Sequence, residues 1–149
     1  MSEVLNKNEI NFTAAFEPKK DTRFICYLTR KDGTPFLPSF VIKRISRPSG
    51  ERNGDKWEWN YMSMTVYDPI VPSSARAVYS NIIAEVPQFD INLKILGPVG
   101  DTVEEWEIKD AVIINSNFGI LDWSNSDDGR GNALEIRLLI KCSTVKLLY

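Results

Sequence analysis

Two groupings in this sequence have the residue types that chemistry needs. Glu104 and Glu105 are adjacent carboxylates, the pair of groups used in general acid and base work, and Asp127-Asp128-Gly129-Arg130-Gly131 sets acids beside glycines as a calcium or phosphate loop does. Neither grouping carries the reaction. Neighbours on a strand point to opposite faces, so Glu104 and Glu105 cannot share one substrate. The acidic run lacks EF-hand ligand spacing and any P-loop Lys-Ser/Thr pair, and it reads as a hairpin tip. The chain has no histidine, which removes the commonest general base and the commonest metal ligand and excludes Ser-His-Asp and Cys-His catalysis by inspection. The expectation is no catalytic residue, no metal site, no cofactor and no enzyme.

Cys26 and Cys142 are the only cysteines. Each lies in a strand-like run, which suits core thiols better than a disulfide framework or a zinc site; outside a cell an oxidised inter-subunit pair becomes available to them. The four tryptophans and five tyrosines are of the kind that lines a sugar or lipid pocket. Trp57, Trp59 and Trp106, however, sit in alternating strand patterns and read as core or subunit-interface packing.

A net charge of −2 argues against binding nucleic acid by phosphate neutralisation. The basic residues Lys43, Arg44, Arg47, Arg52 and Lys56 are interleaved with Glu51 and Asp55, a contact surface of mixed charge rather than a phosphate track. With 149 residues, 43% apolar and 26% charged, residues 1–149 are expected to form a single domain with a real core. No apolar run approaches the ~20 residues that cross a bilayer. The first residues have neither the basic nor the apolar region of a secretory signal, so synthesis and folding are expected in the cytosol.

These side chains need elements to position them. Residues 1–20 read as an extended arm, with a short strand near 12–16. Residues 23–29 read as a strand ending at the Asp32-Gly33 turn, and 40–46 as another. Residues 47–56, with Pro48, Gly50 and Gly54, read as a loop longer than a hairpin needs. A strand over 57–67 places Trp57, Trp59 and Tyr61 on one face and Met62, Met64 and Val66 on the other. A helix over about 73–86 carries Ala75, Val78, Tyr79, Ile82, Ile83 and Val86 on one stripe, starting at Ser73 and stopped by Pro87. Phe89, Ile91, Leu93 and Ile95 alternate as a half-buried strand, 103–108 forms the next, and a change of phase at Lys109-Asp110 predicts a bulge or bend. Residues 134–142 alternate again, and 144–149 read as an edge segment. The fold class is mainly β: an antiparallel barrel or sandwich of two sheets with one flanking helix.

Several strings occur in an order that resembles the tail tube proteins of contractile-tailed bacteriophages. They are Arg44-Ile45-Ser46-Arg47-Pro48, Met64-Thr65-Val66-Tyr67-Asp68-Pro69, Phe89-Asp90-Ile91-Asn92-Leu93-Lys94-Ile95-Leu96-Gly97-Pro98-Val99-Gly100, Val103-Glu104-Glu105-Trp106-Glu107-Ile108 and Phe118-Gly119-Ile120-Leu121-Asp122-Trp123. Trp123 stands where that family more usually has Tyr, and the N-terminal arm does not align. The resemblance implies a fold shared with type VI secretion tube proteins. It implies a structural virion protein, found in the tail tube and made in the host cytoplasm, whose hexameric rings stack into a conduit for DNA ejection. The implied partners are further copies of itself, the tail sheath, and the baseplate and tail-terminator proteins, with genomic DNA passing an acidic lumen without specific binding. The readings beside it are a baseplate tube initiator or cap, the tube of a secretion or injection system, and, from another class, a small β-barrel for a hydrophobic ligand. Arg47, Glu51, Arg52, Asp55 and Lys56 are the candidate inter-subunit contacts, because alternating charge on a long loop can meet complementary charge on a neighbour.

Overall fold

Strict alternation from Phe89 to Leu96 buries Phe89, Ile91, Leu93 and Ile95 and leaves Asp90, Asn92 and Lys94 half-buried. This strand lies inside the main ladder, with a paired strand on each side. The computed structural model describes residues 17–124 and 131–149, and among them the chain forms β1 (Phe24–Arg30), β2 (Pro35–Leu37), β3 (Ile42–Ile45), β4 (Gly50–Asn53), β5 (Lys56–Trp59), β6 (Met62–Tyr67), helix α1 (Ser74–Ile82), β7 (Phe89–Leu96), β8 (Thr102–Asn117), β9 (Glu135–Lys141) and β10 (Thr144–Leu147). The short strand expected near 12–16 and most of the hairpin tip expected at 127–131 lie outside the described residues. Residues 17–20, the end of the expected arm, are exposed and without regular structure.

The main ladder runs β2-β1-β7-β8-β9-β6-β3, with β10 also on β8, and every pairing in it is antiparallel. β8 serves both sheets: it pairs β7 and β10 as far as Ala111, then β9 from Val112 onward. The change comes where the sequence shifts phase. Ile91 faces Ile108 while Phe89 faces Ala111, so β8 carries an extra residue there, and Asp110 sits at φ 56°. Such a bulge bends and twists its strand, which lets one strand turn from the first sheet into the second. The outer edges, β2 and β3, are joined by a 3-10 turn at Ser39–Val41, so the two-sheet barrel closes on that side through the chain rather than through a ladder. The strand expected over 40–46 is correspondingly shorter.

The interior is filled by side chains from both sheets, with Cys26, Leu28, Met62, Met64, Val66, Phe89, Ile108, Ile136 and Ile140 among those almost wholly removed from solvent. Each large aliphatic or aromatic side chain so buried contributes roughly 1.5–3 kcal/mol. Burial pushes the Cys26 thiol up to about 12, so it stays protonated and unreactive. Cys142 is half-buried, and both cysteines are free.

Helix α1 begins as expected: Ser73 Oγ accepts the Arg76 N–H at 3.2 Å, and Asp68 Oδ1 accepts that of Ala75 at 3.1 Å. It is shorter than the expected 73–86. The Ile83 N–H closes the last turn on the Tyr79 carbonyl at 3.2 Å, the Ala84 N–H bonds the Asn81 carbonyl at 3.2 Å, and the chain leaves the helix. The side turned inward carries Ser74, Val78 and Asn81. Of the expected apolar stripe only Val78 is buried and Ala75 partly so, while Tyr79, Ile82, Ile83 and Val86 face out.

Candidate assembly surface

The sequence reading of 47–56 as a loop and of 57–67 as one strand is corrected by the structure. Gly50–Asn53 pairs with Lys56–Trp59 as an antiparallel hairpin, separate from the main ladder. The strand breaks at Asn60-Tyr61, after which Met62–Tyr67 enters the barrel. Asn53-Gly54-Asp55-Lys56 makes this possible. Gly54 adopts φ 66° while Asp55 does not take a positive φ, the glycine-first two-residue turn whose twist matches the flanking strands. At the base, the Asn60 N–H donates to the Ser49 carbonyl at 2.8 Å.

The register divides the hairpin into two faces. Gly50 and Arg52 lie opposite Trp59 and Trp57; Glu51 and Asn53 lie opposite Glu58 and Lys56. On the first face Trp57 meets Trp59 edge-on at 5.7 Å, and Trp59 meets Trp106 of β8 at 6.3 Å. This aromatic chain ties the hairpin to the barrel. Gly50 is required there, because a Cβ would lie 2.6 Å from the Glu58 carbonyl oxygen and from the Trp57 ring nitrogen. The second face sets two carboxylates, Glu51 and Glu58, directly across from each other, an arrangement that destabilises an antiparallel pair.

A buried charge anchors the hairpin's base. The Glu104 side chain is only 7% exposed and accepts from Lys19 Nζ at 2.6 Å and from Arg47 at 3.1 and 3.3 Å. The Trp106 indole N–H donates to it as well. Burial alone raises the Glu104 pKa, but the Lys19, Trp106 and Arg47 bonds outweigh it and hold the carboxyl below its ordinary range. Sequence reasoning treated Glu104 only as a failed catalytic pair. Its charged partners stand 85 and 57 residues away and only Trp106 is close in sequence, so no local signal exposed the ion pairs.

The five candidate contact residues therefore fall into two positions. Arg47 lies below the hairpin and is engaged by Glu104. Glu51, Arg52 and Lys56 lie along the hairpin strands and Asp55 in its turn, all exposed, and among the described residues these four form no ion pair.

Beside the hairpin's base an open cleft of about 490 Å³ runs between residues 19–24, β3 and β7. Its floor includes Phe24, Ile45, Leu93 and Ile95, and its rim carries Lys19, Lys20, Lys43, Arg44 and Arg47 against one acid, Asp21. Lys43 is paired with Glu135 at 2.5 Å. Lys20 and Arg44 form no ion pair among the described residues. Large apolar side chains are also bare elsewhere: Ile70 and Val71 before α1, and Ile120, Leu121 and Trp123 in the loop after β8, are each more than four-fifths exposed. Scattered apolar residues need no explanation, but clusters of this kind mark contact surfaces. Among the described residues no helix is long and apolar enough to cross a membrane, and no group of three His, Cys, Asp or Glu side chains converges on a possible metal ion.

No protein-family model matches the chain, and no match to a curated protein is found. Solved structures match its fold. A chain of the anti-feeding prophage baseplate aligns with TM-score 0.65 at 15% identity, covering 89% of this chain and 96% of that one. A chain of the sheath-tube complex of PVC, an extracellular contractile injection system, aligns with TM-score 0.61 at 13% identity over 95% and 97%. The Hcp1 protein from E. coli EAEC 042 aligns with TM-score 0.58 at 7% identity over 85% and 91%. The chain thus has the tail tube fold that its sequence strings suggested.

Proposed function

We propose that this chain is a structural subunit of the tube in a contractile tail or injection particle, assembling into hexameric rings that stack, with a separate sheath protein around them and baseplate and terminator proteins at the ends. The observation that carries the proposal is the hairpin of β4 and β5. An isolated two-stranded hairpin is marginal in water, and this one stands outside the barrel's ladder with like charges opposed on one face and tryptophans on the other. A protein that worked alone would gain nothing from it. A tube wall needs a projection that reaches a neighbour.

In a bacteriophage the lumen would pass genomic DNA, and a wall of net negative charge would let phosphate slide past without adhering. Neighbours from the anti-feeding prophage baseplate and its tube-terminating cap favour a second reading, an end-piece that starts or stops the tube. One experiment separates these. The purified chain is followed by mass photometry and negative-stain microscopy across a concentration series, beside a variant in which Asn-Gly replaces residues 50–59 between the hydrogen-bonded Ser49 and Asn60. A tube subunit grows rings into tubes of open-ended length, an end-piece stops at single rings, and the variant stays a folded monomer. Monomer alone at every concentration of the parent chain sinks the proposal.

A further inference from the structure

We propose that the acidic face of the hairpin docks into the basic cleft of a second copy of this chain. The inference rests on the tube reading above and names the two surfaces that meet. Glu51 and Glu58 face each other across the hairpin, and among the described residues neither has an ion-pair partner. Lys56 stands on the same face one rung toward the turn, so the face keeps a net negative charge. Opposed like charges weaken the hairpin when it stands free, and a cation placed between them converts that repulsion into attraction.

The cleft supplies such cations. Lys19, Arg47 and Lys43 on its rim are already held by Glu104 and Glu135, which among the described residues leaves Lys20 and Arg44 as the exposed charges available to a visitor. Asp21 lies beside them and sets a limit on how many acids the cleft accepts. The hairpin and the cleft are different patches of one surface, so their union between copies is head-to-tail. A contact of that kind repeats and generates rings or stacks, whereas a self-complementary patch closes as a dimer. Charge complementarity between two patches of the same chain, Glu51 and Glu58 on one and Lys20 and Arg44 on the other, favours a second copy over an unrelated acidic protein.

The test uses two charge-reversed full-length chains, one with Lys20→Glu and Arg44→Glu, the other with Glu51→Lys and Glu58→Lys, with folding checked by circular dichroism. Each alone should need at least about tenfold more protein to assemble than the parent, since like charges brought together at an interface cost several kcal/mol. An equimolar mixture should assemble near the parent concentration, because each reversed hairpin then meets a reversed cleft. The neutral variant carrying Glu51→Gln and Glu58→Gln guards against misfolding: removing the internal repulsion should leave the hairpin at least as stable while assembly weakens. A purely structural role would move both in the same direction. If the parent assembles and either reversed chain assembles equally well alone, or the folded pair fails to recover on mixing, the docking proposal falls and the tube reading stands. If the parent never assembles, both fall.

Discussion

The barrel and the hairpin follow different rules within one chain. In β7 every second residue is apolar and buried, and the strand is specified by water's exclusion from one face. In β4 no such alternation exists: Gly50–Asn53 is polar throughout and largely exposed, so pairing rests on backbone bonds, one glycine-led turn and the contact of Trp59 with Trp106. The first region stabilises itself. The second is held at one end by the barrel and offers its other side to whatever lies beyond.

Substitutions can sharpen that contrast. The largest effect is expected in the barrel, where Phe89 is wholly buried and packs on Phe36 at 5.0 Å; Phe89→Ala should cost about 3–5 kcal/mol in urea unfolding. A loss under about 1 kcal/mol would mean the core is less tightly packed than its burial implies. At the hairpin's base, Gly50→Val places a Cβ within 2.6 Å of the Glu58 carbonyl oxygen. It should abolish tryptophan near-ultraviolet dichroism from the hairpin at a local cost of about 2–3 kcal/mol, with the barrel's unfolding midpoint little changed. A midpoint that falls with the hairpin would join the two regions into one cooperative unit.

Glu104→Gln probes the link between them. It keeps the shape but loses the charge that Lys19 and Arg47 bind, and should cost about 1–2 kcal/mol at neutral pH. The sign of the pH dependence follows from the lowered carboxyl. A folded pKa below the unfolded value gives stability that is present above the unfolded value, about 4.3, and is lost as pH falls through the folded one. The parent should therefore lose stability more steeply than Glu104→Gln on acidification below about pH 5, although the lowered Asp90 and Glu135 keep some slope in both. Parallel profiles would remove Glu104 from the linkage. The smallest effect is expected at the bend of β8. Asp110→Gly relieves the positive φ but gives up the exposed ion pair to Lys31 at 2.5 Å, and the two should nearly cancel, leaving the midpoint in the same urea assay close to the parent's.

Legibility in the sequence tracks the same division. β7 was readable to the residue, and the bend at Asp110 showed itself as a slip in alternation, because both are written in side chains that must face inward. The hairpin's first strand and turn read as a loop in sequence although Asn53-Gly54-Asp55 carries the turn signal, since charged residues without a buried face leave no period to detect, whereas Trp57 and Trp59 of its second strand do read as strand. The helix stripe misleads for a different reason: its start is readable from Ser73, but the side the barrel covers carries Ser74, Val78 and Asn81, two of them polar, so apolar periodicity points to the wrong face. The cations that hold Glu104 cannot be found from its neighbours in sequence, because they stand 85 and 57 residues away. The candidate site was half visible, as a run of alternating charges whose arrangement on two faces only the register reveals.

The order of strands also governs when a newly made chain becomes competent. β6 and β9 pair Met62 with Ile140 and Tyr67 with Glu135, so the second sheet cannot close until nearly all of the polypeptide has emerged. Contacts so distant in sequence form slowly, since loop-closure entropy precedes any reward. During that interval the hairpin, a local element, can form before the barrel that positions it. Its anchor, however, waits for Trp106 and Glu104 on β8. A partly synthesised chain thus lacks the fixed projection that assembly would require, and under the proposed function the path of the chain itself would defer polymerisation to finished subunits.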